Sequence, residues 1–98
     1  MTGPYSIGSD VWPGPAKMAE EAGELLQVAG KVIAIGGATA HYDGTDLQER
    51  LVDECGDLLA ALRFFAEASG LQAAVEVRVE EKLDLFRCWH DEHRAVTR

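Results

Sequence analysis

Apolar residues recur at steps of three and four positions through most of the chain, which is the spacing of one face of an α-helix. The first run predicts a helix over residues 16–35. Its apolar positions are Met18, Ala22, Leu25, Leu26, Ala29, Val32 and Ile33. Two glycines close this run, and a loop leads to a second helix for which Thr45 and Asp46 are both candidate N-caps. Thr45 also forms a capping-box pattern with Gln48.

The same period predicts a second helix over residues 47–68 and a third that starts shortly after Ser69 and Gly70. The second helix has its apolar positions at Leu47, Leu51, Cys55, Leu58, Leu62, Phe65 and Ala66. The third has them at Val75, Val79, Leu83, Phe86 and Trp89 or His90. The short connection makes these two helices antiparallel neighbours. Strand-like alternation is absent from the sequence, so we expect an all-α antiparallel bundle of three helices, or four if the third breaks.

The two ends of the chain differ from the helical region. Residues 1–15 contain all three prolines and three glycines, which predicts an extended leader, and residues 94–98 are expected to fray. The bundle domain then spans residues 16–93. A chain of 98 residues with 47% hydrophobic residues suits one globular domain. Because so short a chain buries a small share of its surface, we expect oligomerisation to complete the bundle.

Composition excludes several classes of partner. The formal net charge of −8 disfavours nucleic-acid binding through a basic face. No apolar run is long enough to span a membrane, and residues 1–15 lack the pattern of a signal peptide, so a cytoplasmic location is expected. Cys55 and Cys88 lack the spacing of metal ligands, and we interpret them as small buried residues in a reducing compartment.

Carboxylates cluster at two places along the predicted helices. The stretch EEAGE contributes Glu20, Glu21 and Glu24 to one side of the first helix, and Glu54 and Asp57 repeat the three-residue spacing on the second. Neighbouring like charges raise one another's pKa and destabilise a helix. The apolar neighbours of these acids indicate that they face the seam between the helices, so something should offset the repulsion.

Antiparallel packing of the first two helices would bring both acidic pairs to the same level and form a four-carboxylate pocket. Hard oxygen ligands of this kind suit Mg²⁺ or Mn²⁺, and Mg²⁺ usually combines a few carboxylates with waters and substrate phosphates. A glutamate-rich helix face is more often a solvated surface, and either motif alone would be weak. The pairing of the two motifs favours the metal site.

Both motifs are similar to the signature of the MazG-type all-α nucleoside triphosphate pyrophosphohydrolases, E-E-x-x-E followed by E-x-x-D. Here these are Glu20-Glu21-x-x-Glu24 and Glu54-x-x-Asp57, and the resemblance covers residues 15–90. It implies a hydrolase that cleaves a nucleoside triphosphate between its α- and β-phosphates, giving a monophosphate and pyrophosphate. It also implies a homodimer or homotetramer.

The resemblance assigns roles to individual residues. Four acids would be the magnesium ligands, namely Glu21, Glu24, Glu54 and Asp57. Glu20 would be an outer ligand or the base that orients the attacking water, so all five acids are catalytic candidates. The substrate-binding candidates come from the residues themselves. Lys17 can reach a polyphosphate or pair with Glu21, and Trp12 and Tyr42 can stack on a base or pack the leader and loop onto the bundle.

Several functions share these features. Phosphoribosyl-ATP pyrophosphatases carry a comparable acidic pattern, and a dUTPase-like or dCTPase-like specificity fits the same acids. A noncatalytic helical dimer or scaffold, with the acids on its surface, keeps every predicted helix unchanged. The sequence does not separate these alternatives, and it leaves open the substrate, the number of metal ions and the choice between dimer and tetramer.

Overall fold

The computed structural model describes residues 14–36 and 46–97, with side chains described up to residue 94. These residues form three α-helices and no strand: α1 (Pro15–Ala34), α2 (Leu47–Ser69) and α3 (Gln72–Thr97). The predicted all-α class is therefore confirmed. The bounds of α1 and α2 lie within one residue of those predicted from the apolar spacing.

Local backbone chemistry sets the start of each of the first two helices. Gly14 precedes Pro15 with a φ of 108°, a conformation that favours glycine. A Cβ atom at Gly14 would lie 3.3 Å from Cδ1 of Phe64, so space also favours glycine there. Asp46 caps α2, because its Oδ1 accepts hydrogen bonds from the backbone N–H of Gln48 at 3.0 Å and Glu49 at 3.2 Å. Of the two predicted caps, Asp46 is the one that the structure describes in this role.

Left-handed glycines close both helices at their C-terminal ends. Gly36 follows α1 with a φ of 71°, and Gly70 follows α2 with a φ of 69°. After α2, the N–H of Leu71 donates to the carbonyl oxygen of Ala66 at 2.9 Å, which satisfies one of the last carbonyl groups of the helix. This tight turn places α3 immediately after α2.

The helices α1 and α2 pack against each other along their lengths, whereas α3 contacts α2 much less and does not contact α1 in the described part of the chain. The pairing of α1 and α2 is antiparallel, since Lys17 shares a cleft with Phe64 while Glu24 lies beside Glu54. Few apolar side chains of the described residues are buried. Those in the described residues are Val28, Leu47, Ala61 and Ala66.

Three expectations about the chain need correction. Pro15 is the first residue of α1 rather than part of the leader. Residues 94–97, expected to fray, are helical, because the sequence there contains no glycine or proline and Arg94 lies where the helix dipole favours a cation. Cys55 and Cys88 are exposed rather than buried, since no helix of this chain covers their faces of α2 and α3 in the described residues.

Other expectations concern regions that the structure does not describe. The leader up to residue 13, with Trp12, and the loop 37–45, with Tyr42 and Thr45, lie outside the described residues. Among the described residues, none of the helices combines the length and apolarity needed to cross a bilayer.

Candidate metal centre

Four carboxylates converge where α1 and α2 pack together. Glu21 and Glu24 come from α1, and Glu54 and Asp57 from α2. One carboxylate oxygen from each residue lies within 4.8 Å of the corresponding oxygen of every other. The three-residue spacing puts both acids of each helix on one face, and antiparallel packing brings the two faces together. The predicted convergence of the acidic pairs is present in the structure.

Two of these side chains hold an oxygen that is shielded from solvent. The Oε2 atoms of Glu21 and Glu54 are buried and accept no hydrogen bond. Burying a carboxylate oxygen without a partner is unfavourable, and nearby negative charges add to that cost. Asp57, by contrast, is exposed, so the cluster is open on its side. A cation in the cluster would compensate the buried oxygens and remain accessible from solvent.

The same surroundings change the acidity of two carboxyl groups. Burial raises the pKa of Glu21 above its ordinary value, and the negative charges of Glu24 and Asp57 raise it further. Burial also raises the pKa of Glu54. The negative charge of Glu24 and a hydrogen bond between the carboxyl groups of Glu54 and Glu24 raise this pKa further, whereas the positive charge of Arg50 lowers it. In the metal-free protein, ionisation of Glu21 and of Glu54 therefore opposes folding.

This arrangement predicts how stability depends on pH without metal. Between the ordinary pKa of 4.5 and the raised pKa of Glu21, this carboxyl group binds more protons in the folded protein than in the unfolded chain. The free energy of unfolding therefore falls as pH rises through that interval. A Glu21→Gln variant has no carboxyl group at this position and does not lose stability in this way. We therefore expect its free energy of unfolding, relative to that of the wild type, to increase from pH 4.5 towards neutrality. Urea unfolding in EDTA at several pH values measures the difference.

A matched control for this measurement is Asp53→Asn, which removes an exposed carboxylate of α2 outside the cluster. Its difference from the wild type should change little over the same pH range. A Glu21→Gln variant with the same stability difference at every pH would contradict the prediction.

Lys17 and Glu20 form an ion pair at the edge of the cluster. The Lys17 ammonium donates to Oε2 of Glu20 at 2.8 Å, and this hydrogen bond raises the pKa of Lys17. Spacing alone offered Glu21 as the partner of Lys17, whereas the structure pairs Lys17 with Glu20. The ion pair orients Glu20 beside the four converging carboxylates, and Glu20 itself does not belong to the converging set.

An open cleft of about 440 Å³ adjoins the carboxylates. Its lining consists of Lys17, Glu21, Asp57, Ala60, Ala61 and Phe64. The three charged residues were predicted as site residues from the sequence, whereas Ala60, Ala61 and Phe64 were not. One signal was available: Phe64 follows Asp57 by seven residues, which is about two helical turns and returns to the same face. The small alanines between them leave room above the helix surface.

Comparison with known proteins gives no family assignment. The chain matches no protein-family model, and no curated protein or solved structure is significantly similar to it. The similarity to MazG-type enzymes therefore depends on the two acidic motifs.

Proposed function

We propose that this protein is a Mg²⁺-dependent nucleotide pyrophosphohydrolase, which hydrolyses a nucleoside triphosphate between the α- and β-phosphates. The supporting observation is the convergence of four carboxylates from two helices within 4.8 Å. The resemblance of the two motifs to the MazG-type signature is the reason for proposing cleavage between the α- and β-phosphates. The products are a nucleoside monophosphate and pyrophosphate.

The donor set fits the proposed ion. All four side chains offer carboxylate oxygens, which are the ligands that Mg²⁺ and Mn²⁺ prefer. Two of the residues, Glu21 and Glu54, present buried oxygens without hydrogen-bond partners, as expected for groups that hold a cation. Asp57 lies on the exposed side, which leaves space for waters and phosphate oxygens. Glu21, Glu24, Glu54 and Asp57 are therefore the proposed ligands.

The cleft beside the carboxylates is the proposed substrate site. When bound, Mg²⁺ supplies positive charge for the phosphates and lowers the pKa of a coordinated water. Such a cation lets a chain of net charge −8 bind a polyanion. Lys17 lies at the same cleft and adds a cationic group close to the phosphates. Phe64 offers an aromatic face further along α2.

Glu20 is the proposed group for orienting the attacking water. Its carboxylate is held by Lys17 at the edge of the cluster. In the reaction, the water oxygen bonds to the α-phosphorus, the bond to the bridging oxygen breaks, and pyrophosphate leaves. The water proton passes to Glu20 or to solvent, so the step needs no covalent enzyme intermediate.

A panel of canonical and damaged nucleoside triphosphates, together with phosphoribosyl-ATP, tests this function. With Mg²⁺ present, we expect release of pyrophosphate and a monophosphate from at least one substrate, both measured by chromatography. Loss of a group that only supports a metal ligand typically costs about 10–100-fold, so removing a ligand should cost at least about 100-fold. Glu24→Gln and Asp57→Asn are expected to show that loss, whereas Asp53→Asn should keep its activity.

Three outcomes would count against the proposal. Absence of turnover on the whole panel would favour the noncatalytic helical protein. Calorimetric titration with Mg²⁺ or Mn²⁺ tests the site separately from turnover. Absence of binding even with a nucleotide present would contradict both the proposed metal site and the proposed enzymatic activity. Release of orthophosphate and a diphosphate would instead place the cleavage at a different bond.

A further inference from the structure

The cleft beside the four carboxylates has a charged end and an apolar end. Its charged lining residues are Lys17, Glu21 and Asp57, and its apolar lining residues are Ala60, Ala61 and Phe64. Along α2, Phe64 follows Asp57 by seven residues, so the two side chains share a face and lie two helical turns, or roughly 10 Å, apart. A ligand that fills the cleft therefore lies against charged groups at one end and an aromatic ring at the other.

The antiparallel register of α1 and α2 determines the order of the groups along the cleft. Glu21 lies level with Asp57, since the charge of Asp57 acts on the carboxyl group of Glu21. At the other end, Gly14 lies against Phe64. Lys17 comes between Gly14 and Glu21 on α1, so its ammonium group belongs between the carboxylates and the aromatic ring.

The ring of Phe64 is supported on one side and accessible on another. A Cβ atom at Gly14 would lie 3.3 Å from Cδ1 of Phe64, so the backbone at the start of α1 packs directly against the ring. Phe64 is nevertheless 39% exposed, which leaves part of the ring free to contact a ligand. A ring held in place before binding loses little conformational freedom when a ligand stacks on it.

We propose that Phe64 is the base-stacking residue of the substrate site, with the phosphates at the charged end of the cleft and the nucleobase on the ring. This inference rests on the proposed function and narrows its substrate to phosphate compounds that carry a flat aromatic group. Every nucleobase has a π-face that can stack on such a ring. The volume of about 440 Å³ lies within the range of small-molecule sites, which combine apolar walls with a few polar groups.

Calorimetric titration with two kinds of probe tests the role of Phe64. The first kind is an α,β-methylene analogue of ATP or of UTP, which carries a base and resists cleavage between those phosphates. The second is inorganic pyrophosphate, which has no base. With Mg²⁺ present, we expect Phe64→Leu to raise the dissociation constant of the analogues about tenfold, as for the loss of one base–aromatic stack, and to leave that of pyrophosphate unchanged. Phe64→Tyr keeps an aromatic ring and should bind the analogues as the wild type does.

The matched control is Phe86→Leu, the same substitution on α3. Phe86 is 52% exposed and its ring centroid lies 5.7 Å from that of Trp89, so it is also an exposed phenylalanine with one packed side. It does not line the cleft. Phe86→Leu should therefore bind both kinds of probe with the affinity of the wild type.

Nuclear Overhauser effects in the wild type cover the case in which Phe64→Leu fails to fold. The base protons of a bound analogue should show these effects to the ring protons of Phe64 and not to those of Phe86. Unchanged binding of the analogues to Phe64→Leu, an equal loss of pyrophosphate binding, or the absence of effects to the Phe64 ring would each overturn the inference.

The proposed function and the role of Phe64 fail in distinguishable ways. A wild type that stacks the analogues on Phe64 but releases no pyrophosphate from any triphosphate keeps the base site and loses the activity. An active enzyme whose analogue binding is unchanged in Phe64→Leu keeps the activity and loses the base site. A wild type that binds neither kind of probe would contradict both.

Discussion

Replacing Glu54 with glutamine is expected to stabilise the metal-free protein and, at the same time, to weaken or abolish its stabilisation by Mg²⁺. The Oε2 atom of Glu54 is buried without a hydrogen-bond partner, and its pKa is raised by burial and by the negative charge of Glu24. A neutral amide of the same shape removes the buried charge and can donate to a neighbouring carboxylate. The same change removes a proposed metal ligand, so the two expected effects have opposite signs.

Thermal unfolding in EDTA and in MgCl₂ measures both effects. A ligand at about 100 times its dissociation constant stabilises a folded protein by about 2.7 kcal/mol, so a bound ion should raise the melting temperature of the wild type clearly. Glu54→Gln should melt higher than the wild type in EDTA and respond little to MgCl₂. Asp53→Asn, on the exposed side of α2, should behave like the wild type. An unchanged response of Glu54→Gln to Mg²⁺ would remove Glu54 from the ligand set.

The second large effect is expected at Leu47, the first residue of α2. Leu47 is fully buried, and it is one of the two largest side chains buried to this extent in the described residues. Truncating such a leucine to alanine removes apolar contacts and leaves a cavity, which typically costs about 2–5 kcal/mol. In a chain with so small a core, a loss of this size is expected to unfold a large fraction of the protein at low concentration.

Urea unfolding at a fixed protein concentration measures this loss, and the concentration must be fixed because assembly would contribute to stability. The matched control is Leu26→Ala, the same truncation on α1 where the leucine is 72% exposed. It should change the free energy of unfolding by no more than about 0.5 kcal/mol. Equal losses of unfolding free energy in the two variants would show that burial does not determine the contribution of Leu47 to stability.

Much of the fold follows from local rules that the sequence displays. Apolar spacing of three and four residues predicts α1 and α2 because both helices bury one face against the other. The glycines at 36 and 70 end these helices through their left-handed conformations, a property of the residue itself. The convergence of the four acids was predictable for the same reason, since spacing within each helix and antiparallel packing determine their position.

Other features depend on contacts that spacing does not specify. Cys55 and Cys88 were interpreted as buried residues within helical patterns yet are exposed, because exposure depends on which neighbouring helix is present. Lys17 had two acids within reach, and the structure pairs it with Glu20. Predicting that Phe64 lies at the cleft would have required knowing that its face of α2 lies beside α1.

The acidic cluster and the exposed aromatic pair lie on different helices, so the two surfaces can evolve separately. The carboxylates belong to α1 and α2, whereas the exposed aromatic pair, Phe86 and Trp89, belongs to α3. Distant sites with no shared partners usually contribute independently. Mutational drift on α3 can therefore alter its exposed aromatic surface while the four carboxylates of α1 and α2 keep their positions.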